Sequence, residues 1–75
     1  MSFQRITVNP NVMGGKPCIR GLRVTVSMIV GLVAQGHTSR EILELYPYLE
    51  AEDIAAALSY AAWRAGEQEV ELQSA

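Results

Sequence analysis

Residues 14–23 carry the sequence feature that most restricts how this chain can fold. This stretch, GGKPCIRGLR, holds three glycines, one proline and three of the chain's six basic residues, and it contains no acid. Glycine is favoured where the backbone needs a positive φ, and proline fixes φ and lacks a hydrogen-bond donor, so a regular helix is disfavoured here. The stretch predicts a tight basic loop between short strands.

The size of the chain predicts one domain that is reinforced by self-association. A lone core in a chain of 75 residues contributes only about 3–5 kcal/mol of net stability. One cysteine, Cys18, and no cluster of metal ligands leave neither a disulfide nor a structural metal to add to it. Because 49% of the residues are hydrophobic, we expect a homodimer.

Two features of the sequence predict a cytoplasmic protein without a membrane segment. No apolar run reaches the roughly 18 residues that a membrane-spanning helix requires. The first residues, MSFQR, lack the apolar core of a signal peptide. A reducing compartment also suits the free thiol of Cys18.

Charge is distributed unevenly along the chain. Residues 1–25 contain four basic residues and no acidic one, whereas residues 26–75 contain two basic residues and all eight acidic ones. This asymmetry predicts one end that attracts anions and another that repels them. It also offers a way for two copies of the chain to attract each other.

The N-terminal third has the pattern of short strands. Residues 6–8 alternate β-branched and polar side chains, and Asn9-Pro10-Asn11 is a strong turn signal. Residues 18–19 and 22–26 predict further strand pieces on either side of Gly21. We therefore expect an irregular hairpin or small sheet.

Three helices follow in the predicted structure. Helical spacing begins at Ser27 and ends at Gly36, and a second helix runs from the capping box of Thr38 and Glu41 to Tyr46. The third helix spans 49–65. The predicted fold class is α+β and mostly α, with a short N-terminal β-hairpin followed by a three-helix, helix-turn-helix-like body. Residues 1–66 form the domain, and 67–75 form an acidic C-terminal tail.

The chain resembles the bacterial domain of unknown function family 433. The resemblance rests on these residues and spacings: Ile6-x-Val8, Gly15-Lys16-Pro17-x-Ile19-Arg20-Gly21-x-Arg23, Val26, Gly36, Glu41-Ile42-Leu43, Tyr46-Pro47-x-Leu49 and Asp53-Ile54-x-x-Ala57-Leu58. It implies a helix-turn-helix-like fold. It also implies an antitoxin encoded beside a PIN-like ribonuclease toxin, which neutralises the toxin and represses its own operon. Glu50 departs from the Ser or Thr frequent in similar sequences and is a poorer helix cap.

Catalytic patterns are missing from the sequence. The chain has one cysteine and one histidine, and we interpret Cys18 as a small buried hydrophobe and His37 as a polar turn residue. Gly14-Gly15-Lys16-Pro17 lacks the spacing of a phosphate-binding loop and has proline at the position of the metal-binding hydroxyl. We therefore predict no enzyme, no cofactor and no metal.

A DNA contact, if the chain makes one, is predicted at the hairpin. The helix in the recognition position, 51–65, begins with Glu52 and Asp53, which would repel phosphates. The predicted nucleic-acid-binding residues are Arg5, Lys16, Arg20, Arg23 and Arg40. The alternative is that Arg20 and Arg23 form structural salt bridges to the acidic helices of the same or a second subunit.

Residues for a protein partner are predicted near the end of the chain. Aromatic side chains often anchor interfaces, so the candidates are Tyr60, Trp63, Val70 and Leu72. Core packing is the alternative for the tryptophan, and fraying is the alternative for the tail.

Three hypotheses for function follow. The first is an antitoxin of a type II pair that binds and neutralises a PIN-like ribonuclease toxin, with autoregulation of its operon through DNA binding as a possible second role. The second is a stand-alone DNA-binding transcriptional regulator. The third is a protein-interaction module without a nucleic-acid contact.

Overall fold

A two-stranded hairpin and three helices make up the computed structural model, which describes residues 3–67. The elements are β1 (Ile6–Thr7), β2 (Cys18–Ile19), α1 (Val26–Ala34), α2 (Ser39–Leu45) and α3 (Ala51–Glu67), with a short 3-10 turn at Met13–Gly15. This architecture confirms the predicted α+β, mostly helical class. No helix within 3–67 is long and apolar enough to cross a membrane.

The hairpin is shorter than the strand pattern predicted. β1 and β2 pair antiparallel, with Ile6 opposite Ile19. The turn after β2 is closed by a hydrogen bond of 2.7 Å from the Leu22 amide to the Ile19 carbonyl. Its two central residues, Arg20 and Gly21, have φ values of 45° and 73°, as in a type I′ turn. This tight reversal carries the chain directly towards α1.

Residues 22–26 form a strand piece only in part: Thr25 bridges Cys18 antiparallel, and the Ile19 amide donates to the Val24 carbonyl at 2.9 Å, but α1 already begins at Val26. Thr25 caps the helix: its Oγ1 accepts a hydrogen bond of 3.1 Å from the Met28 amide. β-branched residues that precede a helix have the same sequence pattern as a strand. The only sign of a helix start here is a threonine, Thr25, at a position where it can cap the amide of Met28.

The second helix begins as predicted. Thr38 Oγ1 accepts from the Glu41 amide at 3.1 Å, and Glu41 Oε1 accepts from the Thr38 amide at 2.8 Å. The third helix starts two residues later than predicted and continues through Gly66 to Glu67. Leu49, just before α3, lies in the core with Ile54, in the arrangement of a hydrophobic staple.

Aliphatic side chains from every region meet in one core. β2 and the following turn contribute Ile19 and Val24, and the fully buried side chains of Ile29, Ile42 and Ile54 come from the three helices. Cys18 is also buried, as predicted. Because the hairpin supplies core residues, its position against the helices is fixed, and so is that of the basic loop.

Two glycines test this account of the backbone. A Cβ built on Gly31 in α1 meets no atom within 4 Å, whereas Gly21 has a φ that disfavours any side chain. We expect Gly31→Ala to raise the free energy of unfolding by about 1 kcal/mol and Gly21→Ala to lower it by about 1 kcal/mol or more. Urea denaturation measures both. Equal losses for the two variants would contradict the assignment.

Candidate functional site

The carboxylate of Asp53 is the most densely hydrogen-bonded group among the described residues. Its side chain is 0% exposed and accepts from four nitrogen donors. Arg20 Nε lies 3.0 Å from Oδ1, and Arg20 Nη2 lies 2.9 Å from Oδ2. Arg5 Nη1 donates to Oδ1 at 2.8 Å, and the Glu50 amide donates to Oδ2 at 2.8 Å. The buried charge is therefore fully satisfied.

Arg20 reaches Asp53 from the turn that follows β2. Two parallel N–H donors form the bidentate geometry that fits a carboxylate best. Arg20 Nη2 also donates to the Tyr48 carbonyl at 3.1 Å. One side chain thus ties the hairpin both to α3 and to the connection before it. Arg20 has a φ of 45°, a backbone conformation that is disfavoured for residues with a Cβ. The structural role of its side chain accounts for a non-glycine residue at this position.

Arg5, the residue before β1, adds a second cation. Its Nη1 donates to Glu50 Oε1 at 2.7 Å as well as to Asp53. The backbone amide of Arg20 donates to the Arg5 carbonyl at 2.9 Å, so the two arginines are held side by side. Two cations and two carboxylates make a cluster without net charge. We call Arg5, Arg20, Glu50 and Asp53 the arginine–carboxylate cluster.

Hydrogen bonding sets the protonation of this cluster. The bonds from Arg20 lower the pKa of Asp53 to about 2, and the Glu50 amide and Arg5 act in the same direction, whereas burial acts against them. The bond to Glu50, followed by the bond to Asp53, raises the pKa of Arg5. The bonds to Asp53 raise the pKa of Arg20. All three groups therefore stay charged at neutral pH.

The sequence left two interpretations of the basic loop, a DNA contact and structural salt bridges, and the cluster decides between them for Arg20. Arg20 forms a structural salt bridge, and its partner, Asp53, lies in the same chain. Arg23 is exposed and forms no ion pair with residues 3–67 of its own chain, so for Arg23 both a nucleic-acid contact and a salt bridge to a second subunit stay predictions. The argument that Asp53 repels phosphates also needs correction, because its charge is buried and balanced by two arginines.

Three predicted cations lie outside the arginine–carboxylate cluster, whose Arg20 is also exposed but is paired with Asp53. Lys16, Arg23 and Arg40 are exposed, and none of them pairs with an acid in the part of the chain that the structure describes. Lys16 and Arg23 belong to the hairpin region, and Arg40 lies in the first turn of α2. These three side chains, without Arg5 and Arg20, are the cations available to an anion.

The two aromatic candidates for partner binding form a cluster with Phe3. The Phe3 ring lies 5.3 Å from Tyr60 and 5.5 Å from Trp63, and the last two rings are 5.8 Å apart, centroid to centroid. Trp63 is still 36% exposed. Val70 and Leu72 lie outside the described residues. Sequence reasoning missed Phe3, whose spacing carries no signal for this contact.

A groove of about 430 Å³ lies between α1 and α3. Its walls are almost entirely apolar and include Val26, Val30 and Ala61, and Lys16 and Arg64 are also among the lining residues. Tyr60 joins the groove to the aromatic cluster. We call this feature the α1–α3 groove.

The polar groups that could do chemistry are dispersed. Among residues 3–67 no group of three or more His, Cys, Asp or Glu side chains is placed to hold a metal ion. Cys18 is buried, with its Sγ 3.3 Å from the Lys16 carbonyl. His37 Nδ1 lies 3.7 Å from Glu41 Oε1 at the start of α2. The site is thus one of charge pairing and apolar surface.

Comparison with known proteins supports the resemblance read from the sequence. The model of the family described as "Protein of unknown function (DUF433)" matches residues 6–61. This chain belongs to the DUF433 family. The region shared with the family includes Arg20 and Asp53, but neither Arg5 nor Trp63.

Two relatives define the extent of the likeness. An uncharacterized protein of Sinorhizobium fredii, y4eO, is 43% identical over 56 residues, which are 75% of this chain and 25% of that protein. The crystal structure of a DUF433 member from Anabaena variabilis is 39% identical, with a TM-score of 0.76 over 85% of this chain and 62% of that one. The chain therefore spans a quarter of the first relative and less than two thirds of the second.

A pair of arginine variants tests the structural role of the cluster. We expect Arg20→Lys to lower the urea midpoint, because an ammonium group cannot make two parallel bonds to Asp53. Arg23→Lys, three residues away and unpaired with residues 3–67, is the matched control and should leave the midpoint unchanged. An equal effect of the two would contradict the assignment.

The low pKa of Asp53 predicts an acid-dependent loss of stability. Its pKa falls from 3.8 to about 2 on folding, so the folded state favours the carboxylate by about 2 kcal/mol. This contribution is complete above about pH 5 and is lost as the pH falls through 3.8 towards 2. Urea denaturation across that pH range should show this loss of stability in the parent chain and in the control variant Glu52→Gln. If the same loss were measured in Asp53→Asn, the assignment to Asp53 would be contradicted.

Proposed function

We propose that this DUF433 chain is the antitoxin of a type II toxin–antitoxin pair that binds a PIN-like ribonuclease and covers it. The observation that supports this function best is the exposed Trp63 on the cluster with Phe3 and Tyr60. Tryptophan and tyrosine are frequent energetic anchors of protein interfaces. Side chains that are already packed lose less conformational entropy on binding.

In this proposal the antitoxin acts by steric cover. The arginine–carboxylate cluster fixes the start of α3 against the hairpin. In the aromatic cluster, Phe3 packs against the second half of α3. α3 is thus a rigid support for the toxin. Val70 and Leu72, together with the acidic segment 67–75, extend the proposed contact beyond the described residues.

Co-purification tests this proposal. The chain is co-expressed with the PIN-like protein of the neighbouring reading frame, and the affinity of the complex is measured by calorimetry. We expect Trp63→Ala to weaken binding by about 2 kcal/mol or more, which is about 30-fold. Tyr48→Ala is the matched control, since Tyr48 is 56% exposed and lies away from the aromatic cluster, before α3.

Two outcomes would reject the antitoxin proposal. One is that no complex forms with the neighbouring ribonuclease. The other is that the ribonuclease retains its activity when the complex is saturated. Equal weakening by Trp63→Ala and Tyr48→Ala would instead reject Trp63 as the contact.

Operator binding is the second candidate function, either as autoregulation of the toxin operon or as the role of a stand-alone regulator. The exposed Lys16, Arg23 and Arg40 support it. Three phosphate contacts per chain give a slope of log K against log salt of about −3. That is weaker than the five predicted cations would give, because Arg5 and Arg20 are occupied with Asp53.

A DNA titration at low ionic strength tests this candidate. Arg23→Ala should weaken binding and reduce the salt slope by about one unit. Ser59→Glu, on the exposed side of α3, lowers the net charge by the same amount and should have less effect. Absence of binding to operator DNA at low salt would reject this candidate and leave two others: an antitoxin without autoregulation, and an interaction module without a nucleic-acid contact.

A homodimer and a cytoplasmic location belong to the same proposal. The small core and the opposite charges of the two parts of the chain support self-association. The mass in solution, measured by light scattering over a range of concentrations, tests it.

A further inference from the structure

The segment in front of β1, residues 3–5, contacts α3 at two distant points. Arg5 Nη1 donates to Asp53 in the first turn of the helix, whereas the Phe3 ring lies 5.5 Å from the Trp63 ring in its second half. The ten residues that separate Asp53 from Trp63 span about 15 Å along a helix. Two side chains that are only two positions apart thus fasten one short segment along much of α3.

A turn brings Phe3 back to the helix. The Ile6 amide donates to the Phe3 carbonyl at 3.1 Å, and Gln4 and Arg5 occupy the central positions of this turn. The Arg5 carbonyl also accepts from the Arg20 amide at 2.9 Å. The direction from which Phe3 reaches α3 therefore depends on the conformation of Arg5.

The buried carboxylate keeps most of its hydrogen bonds without Arg5. Three of the four nitrogens that donate to Asp53 belong to the Arg20 side chain and the Glu50 amide, and only the fourth belongs to Arg5. The other bond of Arg5 goes to Glu50 Oε1, on a side chain that is 56% exposed. An exposed ion pair contributes little to stability. The main effect of the Arg5 side chain is therefore on its own segment.

We propose that Arg5 is a positioning residue that places Phe3 in the aromatic cluster. Its bonds to Glu50 and Asp53 hold the turn against α3, and this keeps the Phe3 ring in contact with Trp63. Arg5 thus shapes the aromatic surface while its own charge is balanced by the two carboxylates. The consequence for a partner rests on the proposed function, whereas the placement of Phe3 is a property of the free chain.

Fluorescence of Trp63, the single tryptophan of the chain, tests the placement in the free protein. Acrylamide quenching measures the accessibility of the indole ring, and Phe3→Ala gives the value without the Phe3 contact. We expect Arg5→Gln to raise the quenching constant to that value, because Phe3 then leaves the cluster. In the Phe3→Ala background, Arg5→Gln should raise it no further.

Two lysine variants separate placement from stability. Arg5 reaches both carboxylates through one nitrogen, Nη1, so the ammonium of Arg5→Lys can replace it and should preserve the quenching constant. Arg20→Lys weakens the pairing of Asp53 without a change in the Phe3 contact, so it should preserve the constant as well. If Arg5→Gln fails to fold, Glu50→Ala removes the exposed ion pair alone and should raise the constant.

Three results would overturn the proposal. An unchanged quenching constant in Arg5→Gln would show that Phe3 packs without the ion pairs. A further rise when Arg5→Gln is added to Phe3→Ala would show that Arg5 acts on Trp63 by another route. An equal rise in Arg20→Lys would make the effect a general consequence of lower stability.

Binding to the partner is measured separately. With the PIN-like ribonuclease, Phe3→Ala and Arg5→Gln should weaken the complex to the same extent, by about fivefold. Weakening by Phe3→Ala alone would overturn the role of Arg5 in binding. If no complex forms, the antitoxin proposal fails, and the fluorescence of the free chain still decides whether Arg5 places Phe3.

Discussion

The structure depends on one buried carboxylate. Asp53 stands at the beginning of α3, is inaccessible to solvent and accepts from Arg5, Arg20 and a backbone amide. A charge in this position is tolerated only when it is paired and fully hydrogen-bonded. Removing either arginine would leave part of that charge uncompensated. The hairpin, which has only two residues in each strand, is held to the helices by this cluster as well as by the core residue Ile19.

The cluster also divides the basic residues of the N-terminal third into two groups. Arg5 and Arg20 pair with the buried Asp53, whereas Lys16 and Arg23 are exposed and pair with no acid among residues 3–67. A small domain has few charged residues to spare for both purposes, so its net charge is a poor guide to the surface it presents. The features available to a partner are then three exposed cations outside the cluster, the aromatic cluster and the α1–α3 groove. These features favour recognition of another protein over strong binding to DNA.

Local signals in the sequence were sufficient for much of the fold. The capping box of Thr38 and Glu41 was predicted from residues three positions apart, and the burial of Cys18 was predicted from its residue type alone. The partner of Arg20 was not, because it lies 33 residues away and the two meet only through tertiary packing. Asp53 was interpreted as a surface acid, although its position three residues after Glu50 is a capping position and the neighbouring Ile54 indicated burial. Phe3 had no signal, since its contact with α3 is made across the folded chain.

A double-mutant cycle on Arg20 and Asp53 tests the central claim most directly. The free energies of unfolding of the parent chain, Arg20→Gln, Asp53→Asn and the double variant are compared at pH 7. If the two side chains stabilise the fold through each other, the double variant loses no more stability than Asp53→Asn alone. Losses that add would contradict the account, because each residue would then act on the fold without the other.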